Sequence, residues 1–103
     1  DYISVERETS DFIKTCSKTD SSSLGLAYRF RGLAFYRRGL SKLAIESFTE
    51  SLLYDGNNKM TYFNRAQAYK ISNRSKACDD FRKSADLGYM LAYDHIKSDC
   101  KYE

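Results

Sequence analysis

Hydrophobic residues along this chain recur with the period of an α-helix rather than with the alternation of a β-strand. Tyr28, Gly32 and Phe35 fall at positions i, i+4 and i+7, which places them on one face of a helix. The chain has no proline, and this favours helices joined by glycine and polar turns. The pattern predicts an all-α protein.

A second helix is predicted to follow the first after a short break. Ser41 is placed to act as its N-cap, and Ala44 and Phe48 occupy its inner face at positions i and i+4. Asp55 and Gly56 end it, since glycine suits the left-handed position that often closes a helix. The two helices together predict a helical hairpin.

The same pattern returns 34 residues later in the chain. The pairs at spacing 34 are Tyr28 with Tyr62, Arg31 with Arg65, Ala34 with Ala68, and Phe35 with Tyr69. After a one-residue deletion near Leu43, the pairs at spacing 33 are Ala44 with Ala77, Phe48 with Phe81, and Ser51 with Ser84. A second hairpin is therefore predicted, with Ser75 as the cap of its second helix and Gly88 as its end.

An aromatic residue followed by Gly or Ala and a second aromatic, then Ala-x-x-x-Phe, resembles the tetratricopeptide repeat at this period. The resemblance implies a right-handed α–α superhelix of helical hairpins, a solenoid fragment with residues 25–58 as its first repeat and 59–91 as its second. The departures from the family's pattern are Arg31 and Arg65 in place of the usual Leu, and Gly56 and Gly88 where Pro is common.

The flanking segments are predicted to complete the solenoid. Residues 1–24 would form an N-terminal helix, a degenerate half-repeat, followed by a polar linker at 17–23. Its inner side would carry Tyr2, Val5, Phe12 and Cys16. Residues 92–103 would form a C-terminal capping helix with Tyr93, Ile96 and Cys100 facing inward. The end of the chain is similar to the ends of small, exported bacterial helical-repeat proteins.

The resemblance also implies a function, because first-helix residues of these repeats line a concave groove that holds a partner's peptide. The residues it assigns to the groove are Arg29, Leu33, Tyr36, Arg37, Phe63, Asn64, Gln67 and Lys70. The implied partner is another protein or peptide with an acidic segment. Some members of the family clamp the C-terminal carboxylate of chaperones, but Leu33 stands where that clamp needs Asn, so this function is not carried over.

Three other interpretations stay open. The segment "YRFRGLAFYRRG" interleaves rings and arginines, as a single-stranded nucleic-acid groove would, but a net charge of only +3 weighs against nucleic acid. The chain could instead be a structural or regulatory subunit that docks by its convex face. The basic residues could also form a solvated helix face with no ligand.

Catalysis has little support in the sequence. His95 is the only histidine and is predicted to be a surface residue. No nucleophile–base set, metal-ligand spacing or phosphate-binding glycine loop is present, so no enzymatic activity, cofactor or metal is expected. No apolar run approaches the length of a membrane span, so no membrane insertion is expected.

Cys78 and Cys100 are predicted to form a disulfide. If the last helix of the second hairpin runs antiparallel to the capping helix, facing residues have a nearly constant sum of numbers. Cys78 then faces Cys100, Phe81 faces Ile96, and Ala85 faces Tyr93. A disulfide implies an oxidising compartment, so a periplasmic or secreted protein is expected. The alternative is a pair of reduced thiols in a cytoplasmic protein.

Overall fold

The computed structural model describes residues 1–16 and 20–100, and all regular secondary structure in these ranges is helical. The helices are α1 (Tyr2–Thr15), α2 (Ser21–Arg37), α3 (Ser41–Tyr54), α4 (Lys59–Tyr69), α5 (Arg74–Asp86) and α6 (Leu91–Asp99). The all-α prediction is confirmed. The chain divides into two compact units, Asp1–Gly56 with α1 to α3 and Asn57–Glu103 with α4 to α6.

In the first unit, α2 packs against both α1 and α3. The carboxylate of Asp20 accepts a hydrogen bond from the backbone N–H of Ser23 at 3.3 Å and so caps the start of α2. Residues 21–23, predicted to belong to a linker, therefore form the first turn of α2. Leu24 follows them and is buried, which fixes this turn against the unit's interior.

Helix α1 buries only part of the face that was predicted to lie inward. Val5 and Cys16 are half-buried, but Tyr2 is 50% exposed and Phe12 is 42% exposed, so the predicted burial of these two rings is wrong. The half-buried residues include Val5, Ile13 and Cys16, which follow each other at steps of eight and three residues. At about 100° per residue, Phe12 lies about 20° from Val5 and about 40° from Cys16, so it shares their side of α1, where its partly exposed ring lines a pocket with residues of α2.

Two of the predicted helix caps are wrong. Ser41 is the first residue of α3, whose N-cap position is held by Leu40 without a side-chain hydrogen bond. In α5 the cap is Asn73, whose side-chain oxygen accepts from the backbone N–H of Lys76 at 3.1 Å. Ser75 therefore lies inside the first turn of α5, because the chain enters this helix two residues earlier than predicted.

Two glycines adopt the left-handed conformation where the chain must turn. Gly39, between α2 and α3, has φ +80°, and Gly88, after α5, has φ +100°. The expectation for Gly88 is therefore confirmed. Gly56 does not have a positive φ, so the left-handed conformation predicted for it is wrong. The turn that needs glycine in the first hairpin is the one between its two helices.

The two hairpins repeat one internal hydrogen bond. In the first unit the hydroxyl of buried Ser51 donates to the carbonyl oxygen of Gly25 at 2.6 Å. In the second unit the hydroxyl of buried Ser84 donates to the carbonyl oxygen of Lys59 at 2.8 Å. The acceptors are 34 residues apart and the donors 33, which is the offset of the sequence repeat. The equivalence of the two hairpins thus extends to their internal contacts.

A small residue faces a buried ring in each hairpin. A Cβ added to Gly32 would lie 2.5 Å from the ring of Phe48, which is fully buried, so only glycine fits beside this ring as it stands. In the second unit Ala66 and Phe81 are both fully buried in the same core cluster. Small residues therefore let the paired helices approach closely.

The core of the second unit includes the predicted cysteine pair. Cys78 and Cys100 lie at disulfide distance, with their Cα atoms 5.7 Å apart, and both are buried. Ile96 packs against the same cluster, as expected. Tyr93 is 48% exposed, however, and Ala92 is the fully buried residue of this turn of α6. The predicted inward position of Tyr93 is therefore wrong, and Ala92 is the residue of this turn that joins Ala85 in the buried core cluster.

None of the helices in the described ranges combines the length and the apolar character needed to cross a membrane.

Candidate partner-binding surface

Four of the predicted groove residues lie on α2 in the first unit. Arg29, Leu33 and Tyr36 are half-buried, and Arg37 is exposed. The guanidinium of Arg29 lies 5.2 Å from the centre of its neighbour's ring, that of Phe30. Within the described ranges, neither Arg29 nor Arg37 forms an ion pair, so neither charge is neutralised by a carboxylate of the chain.

An apolar patch continues this surface toward the start of α2. Leu26 is 45% exposed and Phe30 is 43% exposed, and both line a pocket of about 340 Å³ between α1 and α2 together with Phe12. Sequence reasoning missed this patch, although a signal for it exists. Leu26, Phe30, Leu33 and Arg37 follow each other at i, i+4, i+7 and i+11, which is one stripe of a helix. We call these four residues the α2 stripe.

The groove residues predicted in the second unit already have partners within that unit. The ring of Phe63 meets the rings of Tyr89 and His95 edge-on, with centroids 4.9 and 5.2 Å away. The side-chain nitrogen of Gln67 lies 3.5 Å from Nε2 of His95. This side of α4 is therefore packed against α6 and the turn before it. Asn64, the fourth predicted residue, is half-buried on the same helix.

Lys70 is also held by α6. Its Nζ atom lies 3.3 Å from a carboxylate oxygen of Asp99, which is also 3.3 Å from Nδ1 of His95. Burial raises the pKa of Asp99, but the hydrogen bonds from His95 and Lys70 outweigh it, so the pKa lies below its ordinary value. The carboxylate therefore stays charged to a lower pH than that of an ordinary aspartate.

His95 is not the surface residue that was predicted. Its ring stacks on that of Phe81 with centroids 4.7 Å apart, and 26% of its side chain is exposed. Its two ring nitrogens face Gln67 and Asp99. The histidine therefore joins α6 to the core of the second unit, a position that its place in a short terminal helix did not indicate.

An arginine between two aromatic rings recurs in both hairpins, as Arg31 and Arg65. In the second unit, the guanidinium of Arg65 lies 5.8 Å from the ring centres of both Tyr62 and Tyr69. It binds Asp80 with two hydrogen bonds, Nε at 2.7 Å and Nη2 at 2.8 Å. The bond to Asp80 is the main cause that raises the pKa of Arg65, against the opposing effect of burial.

The arginine of the first unit has the rings but not the carboxylate. The guanidinium of Arg31 lies 5.8 Å from the ring centre of Tyr28 and 5.6 Å from that of Phe35. Its Nε atom is buried and has no hydrogen-bond partner in the structure. The two hairpins thus differ chemically at an otherwise equivalent position.

No group of three or more His, Cys, Asp and Glu side chains among the described residues could hold a metal ion. The chain matches no protein-family model and none of the curated proteins.

Proposed function

We propose that the protein is a protein-binding module of the tetratricopeptide-repeat type, a fragment of an α–α superhelix that holds a segment of another protein. The observation that supports this most directly is the α2 stripe. It combines two exposed apolar side chains, Leu26 and Phe30, with the half-buried Leu33 and the cation of Arg37. Exposed apolar patches beside charged residues are typical of protein interfaces.

The basic side chains around the α2 stripe indicate which chemistry a partner should have. Five basic residues and no acidic one lie between Leu26 and Leu43, and one of the five, Arg38, is bound by the carboxylate of Glu6 at 2.6 Å. Arg29 and Arg37 are on the same helix as the stripe and are not paired with any carboxylate among the described residues. The partner that fits is a segment with apolar side chains for Leu26 and Phe30 and acidic side chains for the arginines.

In this proposal, the partner binds to the first unit. In the second unit, Phe63, Gln67 and Lys70 are engaged by α6 and the turn before it, so a partner would have to displace those contacts. On α2, by contrast, the apolar and basic side chains are exposed or half-buried. A partner could bind there without first disrupting a packed helix.

We further propose that the protein works in an oxidising compartment, in the periplasm or outside the cell. Cys78 and Cys100 lie at disulfide distance and are both buried in the core of the second unit. Such pairs persist as disulfides in exported proteins and are rare in the cytosol.

The binding proposal is tested with peptides rather than with an unidentified natural partner. A phage library of random 12-residue peptides is selected against the immobilised protein, and the enriched peptides are measured by fluorescence anisotropy. The expected enrichment is for peptides that combine Asp or Glu with Leu, Phe or Tyr. Arg29→Glu with Arg37→Glu should weaken their binding at least about tenfold, because each substitution turns an attraction into a repulsion.

The matched control is Arg74→Glu with Lys83→Glu. It makes the same change in net charge at two exposed positions of α5 in the second unit. Circular dichroism should be unchanged in both double variants. Equal affinity of the enriched peptides for the α2 double variant and the wild type would exclude the α2 stripe as the binding surface and favour docking by another face. Tight binding of an oligouridine probe that weakens steeply with salt would favour the nucleic-acid interpretation instead.

A further inference from the structure

Beside the arginine that recurs in both hairpins, the second hairpin has an aspartate and the first hairpin has a serine. Asp80, which binds Arg65 in the second unit, is 5% exposed and lies on α5. The residue 33 positions earlier, at the offset of this part of the repeat, is Ser47 on α3. Serine is shorter than aspartate and carries no charge. The first hairpin therefore keeps the arginine but lacks the carboxylate that binds it in the second.

Both polar groups at this position of the first unit are buried without a partner. Ser47 is 2% exposed, and its hydroxyl oxygen has no hydrogen bond in the structure. The Nε atom of Arg31 is also buried and also has no hydrogen-bond partner in the structure. Buried polar atoms are nearly always hydrogen-bonded, so two unsatisfied atoms from facing helices indicate a missing group rather than a packing accident.

The two residues line a common pocket of about 360 Å³ between α2 and α3. In the second unit, the Asp80 carboxylate binds the equivalent arginine, and the pocket beside the two is smaller, about 270 Å³. The pocket of the first unit is large enough for a carboxylate and the atoms that carry it. Arginine Nε and Nη atoms form a fork that binds the two oxygens of a carboxylate at once, which is among the strongest hydrogen-bonding arrangements in proteins.

We propose that the pocket between Arg31 and Ser47 binds a carboxylate group of a partner molecule, which takes the position that Asp80 holds in the second hairpin. The guanidinium of Arg31 donates two hydrogen bonds to the carboxylate oxygens, and the Ser47 hydroxyl donates a third. The rings of Tyr28 and Phe35 hold the guanidinium in place, as the tyrosines do around Arg65.

The other charges at the pocket limit which anion can bind. Glu46 and Glu50 also line it, and within the described residues neither forms an ion pair with Arg31. Burial and then the charge of Glu50 raise the pKa of Tyr28, so its phenol stays neutral. With two carboxylates nearby, a singly charged carboxylate is favoured over a doubly charged phosphate, since the repulsion grows with the charge of the ligand.

This pocket is separate from the α2 stripe. Arg31 is 120° around the helix from Arg37, six residues away, and the pocket is closed by α3 rather than by α1. The proposal therefore stands whether or not the stripe binds a peptide.

The test follows the Nε–H signals of the arginines by nitrogen-15 NMR while sodium acetate is added to the whole chain. The expected result is a saturable shift of the Arg31 signal. Arg65 is the internal control, because its Nε already binds Asp80 and its signal should not move. Sodium chloride at the same ionic strength should move neither signal, and inorganic phosphate should bind more weakly than acetate.

Ser47→Asp places an internal carboxylate in the pocket. This variant should weaken acetate binding at least about tenfold and shift the Arg31 signal toward that of Arg65. Two peptides then separate the possible sources of the carboxylate: acetyl-Ala-Ala-Glu-amide offers a side chain, and acetyl-Ala-Ala-Ala with a free C-terminus offers the chain end. The amidated acetyl-Ala-Ala-Ala is the control.

An Arg31 signal that does not move with acetate, or that moves equally with chloride, overturns the proposal. A change of the Arg31 signal in the double variant Glu46→Gln, Glu50→Gln, of the kind expected when a carboxylate partner is lost, also overturns it, since Arg31 would then be paired in solution with a glutamate of α3. Retention of acetate binding in the Ser47→Asp variant also rules the pocket out.

Discussion

Reduction of the pair formed by Cys78 and Cys100 should let α6 open away from the second unit more often than the rest of the unit unfolds. The two cysteines are 22 residues apart, and a disulfide that closes such a loop stabilises the folded chain by about 3 kcal/mol at 25 °C in the chain-entropy model. Helix α6 has nine residues, fewer than an isolated helix needs to be stable in water. It therefore depends on contacts with the rest of the unit.

The remaining contacts of α6 limit how much of its packing is lost after reduction. After reduction, α6 keeps the fully buried Ala92, the packing of Ile96 against the core and the stack of His95 on Phe81. We expect α6 to open frequently rather than to detach permanently. A loss of about 3 kcal/mol, spread over a domain of this size, corresponds to a fall in melting temperature of more than about 10 °C.

Hydrogen exchange measured by mass spectrometry with and without a phosphine reductant tests this. Amides of α6 should exchange faster after reduction, whereas those of α2 and α3 should keep their rates. A Cys16→Ser variant serves as the starting protein, so that no third thiol can exchange with the pair. The reasoning fails if the reduced protein keeps its melting temperature and its α6 protection. It fails equally if protein from its native compartment, denatured without reductant, shows three free thiols.

Two further predictions concern the interior of each unit. Gly32→Ala should destabilise the protein by up to about 2 kcal/mol, since the added Cβ would lie 2.5 Å from the ring of Phe48. Overpacking of this kind costs about 1–3 kcal/mol, and the higher helix propensity of alanine offsets about 1 kcal/mol of that cost. Urea denaturation measures this against Gly56→Ala, whose Cβ would have 3.4 Å to its nearest neighbour; no difference between the two variants would refute the close approach. Asp99→Asn should lower the melting temperature at about pH 7 and have a smaller effect at about pH 2. Because folding lowers the pKa of Asp99, its carboxylate, partly through the ion pair with Lys70, contributes to the free energy of unfolding above the ordinary pKa of aspartate. This contribution is lost as the pH falls through the pKa of the folded protein. Equal changes in melting temperature at the two pH values would contradict the prediction.

The parts of the structure that the sequence predicted well are those that occur twice. The Ser51 and Ser84 hydrogen bonds fall at the offset read from the sequence, and the helices of both hairpins begin within a few residues of their predicted positions. A pattern that recurs at a fixed period constrains helix faces and turns together, because each copy must satisfy the same packing. The antiparallel alignment of α5 and α6 also sufficed to place Cys78 opposite Cys100.

The terminal helices were predicted less well because no second copy fixes their rotation. On α1 the exposed side chains of Tyr2 and Phe12 were assigned inward, and on α6 Ala92 rather than Tyr93 is buried. A helix with aromatic residues on more than one side can bury either face, and the choice depends on what it packs against. The same uncertainty concealed the contacts of His95 with the residues of α4.

The candidate carboxylate site illustrates why departures from a repeat pattern are informative. A half-buried arginine is costly to fold without a partner for its charge, and Asp80 is that partner for Arg65. Exchanging that aspartate for serine, as at Ser47, removes the internal partner while the two rings still hold Arg31 in the same arrangement. In our proposal, the first hairpin lacks the internal contact that Asp80 makes in the second and holds Arg31 in advance for the carboxylate of a ligand, which lowers the cost of ordering the binding group.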